Sequence, residues 1–286
     1  MDTSHKPMKI PAIYFFAAAS LVTIASTASA ATLFTDNFDV TMGSFIPPSN
    51  AGLGPNSEAA NPGRQGGTLA TPILAYTFSG NAQVGNTTTL AANANAGSAV
   101  GDDMLLANGA SATIGYNFAA IAGPLTVTFD GLPNAQADLT NWISFMVSEN
   151  AGTQFVNNGT VDFGILFRAN GLTQYFVDGD PGTIGGAGTS VGQNTWANYK
   201  IVLSDAVGTG SAFGSGSSRV DYFQNGTLLG TVNVTDPCTS TQGFIAFGAG
   251  ALGGIDNIVV TSVPEPSSMM AALSGLTGLM LVRCRK

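Results

Sequence analysis

Apolar and polar residues alternate at period two in many short runs of this chain, a pattern that predicts β-strands with one buried face. Each run is bounded by Gly, Asn, Asp or Pro, which favour turns. No stretch between residues 31 and 262 has the 3.6-residue period of a three-turn amphipathic helix. The predicted strands are Leu125–Phe129, Trp142–Ser148, Val161–Arg168, Leu172–Val177, Tyr199–Leu203, Arg219–Gln224, Leu228–Val234, Gly243–Ala249 and Gly254–Thr261.

Two of the predicted turns carry a hairpin signature. Asn225-Gly226 separates two alternating runs and predicts a type I′ turn, because both central residues need positive φ and Asn and Gly tolerate it. Asn170-Gly171 predicts the same turn between the runs on either side of it. Such turns build an antiparallel meander, so the body is expected to be all-β, an antiparallel two-sheet sandwich.

Two segments predict loops instead. Residues 43–100 are rich in Gly, Asn, Ala, Pro and Thr, which predicts long loops or weak edge strands, and Ile73–Phe78 is the best strand within them. The Gly-rich segment Gly182–Gly192 is also expected to be a loop, and it lacks the Gly-Lys-Ser/Thr ending of a phosphate-binding loop.

The N-terminal segment has the three parts of a secretory signal peptide. Lys6 and Lys9 provide a basic region, Ile10–Ile24 is apolar, and Ala28-Ser29-Ala30 is a small-residue cleavage site. Cleavage by signal peptidase is expected after Ala30. The alternative is an uncleaved anchor, for which the apolar run is short.

The C-terminal segment also has three parts in a fixed order. Val263, Pro264, Glu265 and Pro266 form a stiff extended stretch, because each Pro fixes its own φ and restricts the preceding residue. Residues 267–282 carry no charge, and as a helix they would reach about 24 Å, a little short of a hydrocarbon core of roughly 30 Å. A basic end follows, formed by Arg283, Arg285 and Lys286.

This arrangement resembles the PEP-CTERM sorting signal of Gram-negative bacteria. The resemblance implies recognition and cleavage by a membrane-bound exosortase, and delivery from the inner membrane to the cell surface or extracellular matrix. An ordinary single-pass anchor is the alternative, since the helix and basic end alone fit one. The predicted organisation is therefore a signal peptide over 1–30, a β-sandwich over 31–262 and a sorting signal over 263–286.

The charged residues between the two end segments, over residues 31–262, exclude some classes of function. Residues 31–262 contain four basic and fifteen acidic residues, which leaves a formal net charge of −11. Nucleic acid is an unsuitable partner, because its phosphates require Lys and Arg. The single His of the chain, His5, lies in the signal peptide, so the body offers no imidazole for a Ser-His-Asp triad or a His-ligated zinc site.

A second resemblance concerns the body. The runs TWANYKIVLSD and SSRVDYFQNGTLLGTVNV resemble strands of the laminin-G or concanavalin-like jelly roll. The opening LFTDNFD and the closing GGIDNIVVTSV resemble its first and last strands. The resemblance implies a jelly-roll-like fold in which these two strands pair.

Candidate ligands are few. Asp178 and Asp180 in FVDGDPG offer oxygen atoms suited to calcium, although Asp-Gly and Asp-Pro-Gly also serve as turns. The same two interpretations apply to Asp102 with Asp103 and to Asp36 with Asp256. No other cofactor is expected. Trp196 follows a loop and is a candidate for a glycan-binding face.

An enzyme is not expected. Glycoside hydrolysis needs two facing carboxylates, and the only glutamates of the body, Glu58 and Glu149, do not form the E-x-D-x-x-E or E-x-D-x-E strings of concanavalin-like glucanases. The sequence therefore favours a non-catalytic exported protein of the surface or matrix, with extracellular polysaccharide as a candidate partner. The alternatives are a carbohydrate-binding module and, third, a glycoside-active enzyme.

Overall fold

A computed structural model describes residues 30–36, 76–78, 83–86, 103–107, 109–133, 138–152, 155–185, 188–193, 195–214, 216–235, 241–251 and 253–262. These ranges contain strands and one short 3₁₀ helix, Phe118–Ala120. The strands are β1 Ala31–Asp36, β2 Tyr76–Phe78, β3 Gln83–Asn86, β4 Asp103–Ala107, β5 Ala110–Ile114, β6 Leu125–Leu132, β7 Trp142–Ser148, β8 Val161–Arg168, β9 Thr173–Val177, β10 Asp180–Gly185, β11 Ala197–Asp205, β12 Ser217–Gln224, β13 Thr227–Thr235, β14 Phe244–Ala249 and β15 Gly253–Ser262.

The strands form two antiparallel sheets. Sheet A has the order β13-β12-β11-β6-β15-β4-β3, and β1 pairs with β15 beside β4. Sheet B has the order β10-β9-β8-β7-β14-β5-β2. The expected all-β, two-sheet sandwich is confirmed, and so is the pairing of the first and last strands, in which Phe34 lies opposite Val260.

The apolar alternation predicts the core correctly. The inward positions of both sheets form one buried cluster that contains the largest fully buried side chains, which are Tyr199 and seven phenylalanines. Phe129 and Tyr199 stack with ring centroids 5.5 Å apart, and Phe247 meets Phe129 edge to face at 5.0 Å. Gly131 leaves room for this cluster, because a Cβ there would lie 2.1 Å from Cδ1 of Ile143. The core therefore fixes which side chains of β6 and β11 point outward.

The turns confirm one prediction and correct another. Asn225 and Gly226 both have positive φ, 48° and 79°, as a type I′ turn requires. At the other hairpin only Gly171 has positive φ, 84°, and its N–H donates to the carbonyl of Arg168. The type I′ prediction for Asn170-Gly171 is therefore wrong. This connection is a longer loop, in which Asn170 instead accepts a hydrogen bond from the N–H of Leu172 through its side chain.

Within residues 43–100, β2 and β3 are edge strands of the two sheets, as one interpretation of that segment allowed. Outside that segment, three strands escape the pattern of alternation. The predicted loop Gly182–Gly192 is wrong at its start, because β10 pairs with β9 as an edge strand. Pro181 is tolerated there since an edge strand does not need every N–H. β4 and β5 also went unpredicted. All five residues of β5 are buried, and small Ala and Ser side chains give no alternation when both faces are covered.

The outer face of sheet B, which points away from sheet A, is covered by the chain itself. The loop between β7 and β8 folds back over it, and Val156 packs on Gly164, where a Cβ would lie 3.0 Å from Cγ1 of Val156. The hydroxyl of Thr113 donates to the carbonyl of Gly152 at 2.8 Å. A second buried cluster results, formed by Met146, Val156, Val161, Leu166, Phe176 and Ala246, with Trp142 packed against it.

Several predicted features lie outside the described residues. They are the signal peptide with Ala28, the sorting signal from Val263 to Lys286, Asp102, Glu58 and both cysteines. Within the described ranges, no helix has the length and apolar character needed to span a bilayer.

Candidate functional site

The outer face of sheet A carries a polar network that spans three strands. Phe129 of β6 and Tyr199 of β11 point into the core. Because side chains alternate along a strand, their neighbours Asp130 and Asn198 point outward. The two are paired across the β6–β11 ladder, and Asp130 is also paired with Asp256 of β15.

Asp130 is the centre of this network. Its Oδ1 accepts from Nδ2 of Asn198 at 2.9 Å, and its Oδ2 accepts from Nδ2 of Asn257 at 3.0 Å. Asn198 is held in turn by the β12–β13 turn, since its backbone N–H donates to Oδ1 of Asn225 at 2.9 Å and its carbonyl accepts from the N–H of Asn225 at 2.7 Å. Both oxygens of one carboxylate are thus fixed by neutral amides from two different strands.

An irregularity in β15 brings Asn257 to this network. The register between β15 and β6 shifts between Asp256 and Val259, and Asn257 has a left-handed φ of 51°. Asn tolerates that conformation better than most residues with a Cβ. The N–H of Asn257 donates to Oδ1 of Asp256 at 2.7 Å, and Asp256 itself is only 2 % exposed. The bulge therefore places one amide and two carboxylates side by side.

Trp196 lies immediately before β11, two residues from Asn198. Ala197 between them is buried in the core, so alternation assigns Trp196 and Asn198 to the same side of the strand. The indole is partly buried, and its Nε1 is inaccessible to solvent without a hydrogen-bond partner. We call the set Trp196, Asn198, Asp130 and Asn257 the outer site.

The chemistry of the outer site suits binding better than catalysis. Trp196 offers a partly buried aromatic surface. The amide and carboxylate groups offer both donors and acceptors, and a few such groups held in fixed positions are what orients a polar ligand. No serine or cysteine nucleophile belongs to the set, and both oxygens of Asp130 are already engaged by amide donors.

The other predicted ligands are not gathered into a metal centre. Asp178 and Gly179 both have positive φ, 51° and 78°, and form the two-residue turn between β9 and β10, while Asp180 opens β10. Asp178 therefore lies in a turn, as one of its two interpretations expected, and calcium binding by Asp178 and Asp180 stays a prediction. In the part of the chain that the structure describes, no three His, Cys, Asp or Glu residues form a group that could hold a metal ion.

The remaining acidic candidates are placed near β15. Asp36, at the end of β1, is 4 % exposed and is paired with Ile258. It lies on the strand adjacent to that of Asp256, as the sequence suggested. Asp103 begins β4. Glu149 follows β7 in the loop that covers sheet B.

Sequence reasoning identified Trp196 and Asp256 but missed Asp130, Asn198 and Asn257. A signal was present, because Asn198 and Asp130 each stand one residue from an aromatic core position and so face outward by alternation. What the sequence did not contain is the register. Only the pairing of β6 with both β11 and β15 shows that these polar residues lie in one row.

Comparison with known proteins gives no family. No protein-family model and no curated protein matches the chain. Solved structures with a similar arrangement include a mutant of the Emp46p carbohydrate recognition domain, at TM-score 0.44 and 7 % identity over 65 % of this chain and 87 % of that one. A Shewanella oneidensis protein of unknown function matches at TM-score 0.44 and 14 % identity, over 90 % of this chain and 97 % of that one.

A third similar structure is the lectin UEA-II in complex with galactose, at TM-score 0.41 and 9 % identity over 66 % of this chain and 93 % of that one. All three TM-scores lie below 0.5 and all three identities below 25 %. No function is inferred from them.

Proposed function

We propose that this chain is an exported, non-catalytic carbohydrate-binding protein of the cell surface or extracellular matrix. The observation that carries the proposal is the outer site, in which Trp196 stands two residues before Asn198 on the same side of β11, and Asn198 is one of the two amides that fix the Asp130 carboxylate. Sugars present apolar ring faces together with hydroxyl groups. An aromatic surface beside oriented amide and carboxylate groups meets both needs.

The absence of catalysis is part of the proposal. The body has no His and only two Glu, and Asp130 faces neutral amides rather than a proton donor. We therefore expect no turnover of polysaccharides that the protein binds. If turnover is found, its survival in a variant with both Glu58→Ala and Glu149→Ala would exclude a glutamate-based mechanism.

Binding is tested by affinity electrophoresis or pull-down of the full-length protein on a panel of extracellular polysaccharides. Trp196→Ala is expected to weaken retention about tenfold or more, because stacking on an aromatic ring is lost. Trp196→Phe keeps a smaller ring, so an intermediate loss is expected. Trp142→Ala is the matched control, since Trp142 packs on the covered face of sheet B.

The outcomes separate the alternatives. Retention that depends on Trp196 and not on Trp142 supports a carbohydrate-binding function at the outer site. Retention that is unchanged in Trp196→Ala places binding elsewhere. If no polysaccharide is retained, the body is a structural component of the envelope or matrix.

Delivery is proposed from the sequence of the two ends. Ala28 and Ala30 support removal of residues 1–30 by signal peptidase, and Val263, Pro264, Glu265 and Pro266 support processing by an exosortase. The test is the intact mass of the protein from cells with and without an active exosortase. A mature chain that starts at Ala31 and ends near Val263–Pro266 only in the active strain agrees with sorting. A chain that ends at Lys286 in both strains means a retained anchor.

A further inference from the structure

We propose that the outer site selects a positively charged glycan, namely an oligosaccharide of amino sugars whose amines are not acetylated. This inference rests on the proposed carbohydrate-binding function and names the ligand class of the same site. It follows from the charge of the site, from the direction of the basic side chain of β11 and from the charge of the body.

The carboxylate of Asp130 keeps its negative charge exposed to a ligand. Its two oxygens accept from neutral amides, and a carboxylate has about four lone-pair positions, so two amide donors leave room for further hydrogen bonds. Asp130 forms no salt bridge with any described residue. A protonated amine is the complementary group, because it brings three donors and a positive charge to an acceptor-only partner.

Asp256 adds a second carboxylate directly across the β6–β15 ladder from Asp130. Like charges on opposed residues of one face are unfavourable by themselves. Asp256 is only 2 % exposed, however, so Asp130 alone offers its carboxylate to a ligand. A uronate or sulfate group beside Asp130 would meet a like charge, whereas a cationic sugar would not.

The basic residue of β11, Lys200, does not oppose this arrangement. Lys200 lies two residues beyond Asn198 on β11, but its Nζ is 3.8 Å from the ring centroid of Phe223 on β12, on the side of β11 away from Asp130. The other two basic residues of the described chain are also engaged. Arg168 donates to Oε1 of Gln174 at 2.8 Å, and Arg219 pairs with Asp221 at 3.0 Å.

The net charge of the whole body also favours a positively charged ligand. Four basic and fifteen acidic residues give residues 31–262 a formal net charge of −11. A field of one sign raises the local concentration of oppositely charged ligands and lowers that of like-charged ones. Trp196 contributes as well, because cations are attracted to the face of an indole.

The experiment measures binding of three probes to the full-length protein by calorimetry at mildly acidic pH. The probes are a hexamer of glucosamine, the fully N-acetylated hexamer and a hexamer of galacturonic acid. We expect the glucosamine hexamer to bind about fivefold more tightly than the acetylated one, a difference that one charge contact with Asp130 would supply. The uronate hexamer is expected to bind most weakly.

Asp130→Asn tests the residue that carries the argument. It removes one charge at nearly constant shape, and the preference for the glucosamine hexamer is expected to fall about fivefold. Asp178→Asn is the matched control. It removes the same charge from an exposed turn with positive φ, which Asn also tolerates, and should leave the preference unchanged.

A second measurement does not depend on any variant. Raising the salt concentration should weaken the glucosamine hexamer while leaving the acetylated hexamer almost unaffected, because only the former binds through charge. Equal affinities for the two hexamers, or tighter binding of the uronate, would overturn the inference and leave carbohydrate binding intact. Failure of all three probes to bind, together with no retention on the polysaccharide panel, would overturn both proposals.

Discussion

The outer faces of the two sheets of this sandwich differ in what covers them. On sheet B, Met146, Leu166 and Phe176 form a buried apolar cluster beneath the β7–β8 loop. On sheet A, the corresponding face carries the Asp130 network, the Lys200–Phe223 contact and Leu228, which is 50 % exposed. One face thus contains a buried apolar cluster, whereas the other exposes Asn198, Asn257 and Leu228. The contrast places the candidate site on sheet A.

The largest change in the free energy of unfolding is expected when a buried apolar side chain on the covered face of sheet B is shortened to Ala. Leu166 is 3 % exposed, and Leu166→Ala should lower the free energy of unfolding by about 2–5 kcal/mol through lost burial and a residual cavity. On the open face, Leu228→Ala should cost about 0.5 kcal/mol or less. Urea unfolding of the two variants measures both values. Equal losses would mean that the two faces are covered alike.

A smaller effect is expected at the turn that holds the outer site. Asn225→Ala places a residue with a Cβ and no polar group at φ 48° and removes the acceptor for the N–H of Asn198. The strain and the lost hydrogen bond together should cost about 1–2 kcal/mol. Asn225→Gly keeps the conformation and loses only the acceptor, so it should cost less. Thermal unfolding of both variants separates the cost of backbone strain from the cost of the lost hydrogen bond.

The opposite end of β11 gives a prediction that depends on pH. Backbone N–H donors, above all that of Gly210 and then those of Thr209 and Gly208, hold the pKa of the Asp205 carboxyl below its usual range. A carboxyl whose pKa is lower in the folded state stabilises the protein above its unfolded pKa, and this contribution disappears as the pH falls through the folded pKa.

Asp205→Asn should therefore cost about 1 kcal/mol near neutral pH, where charged hydrogen bonds are lost. The variant and the unsubstituted protein should converge in stability at strongly acidic pH. Urea midpoints across the acidic range measure the difference. A gap that widens as the pH falls would contradict the proposed role of the carboxylate.

The smallest change in the free energy of unfolding is expected when the Lys200 ammonium, which lies over the ring of Phe223, is removed. Lys200→Met keeps most of the apolar stem and removes the ammonium, so the free energy of unfolding should change by about 0.5–1 kcal/mol. Because Nζ lies over Phe223, binding of the glucosamine hexamer should not weaken in this variant. Calorimetry on Lys200→Met checks both points. A marked loss of binding would place Lys200 within the site.

The fold was predictable wherever one face of a strand is buried and the other is open. In β12 buried and more exposed residues alternate along the whole strand, and in β11 they alternate as far as Leu203; the sequence predicted both strands. β5 is buried on both faces and built of small residues, so alternation fails there. β10 contains Pro181 and two glycines, whose low strand propensity hides a strand that is stabilised by pairing with β9.

The candidate site was predictable only in part, for a different reason. Trp196 could be identified by its place after a loop, and Asp256 by its place in the last strand. Asp130 and Asn257 become neighbours through the register of β6 against β15, including the bulge at Asn257. Register depends on side-chain packing between strands that are distant in sequence, and a single sequence does not specify it.

The most direct test of the central claim uses the two tryptophans of the chain, one associated with each face. In Trp142→Phe the only indole is Trp196, and in Trp196→Phe it is Trp142, which packs on the covered face. Fluorescence of each variant is followed during titration with the polysaccharide that the intact protein retains. The account predicts a saturable spectral shift in Trp142→Phe and none in Trp196→Phe. A shift that appears only in Trp196→Phe would contradict it and place the ligand on sheet B.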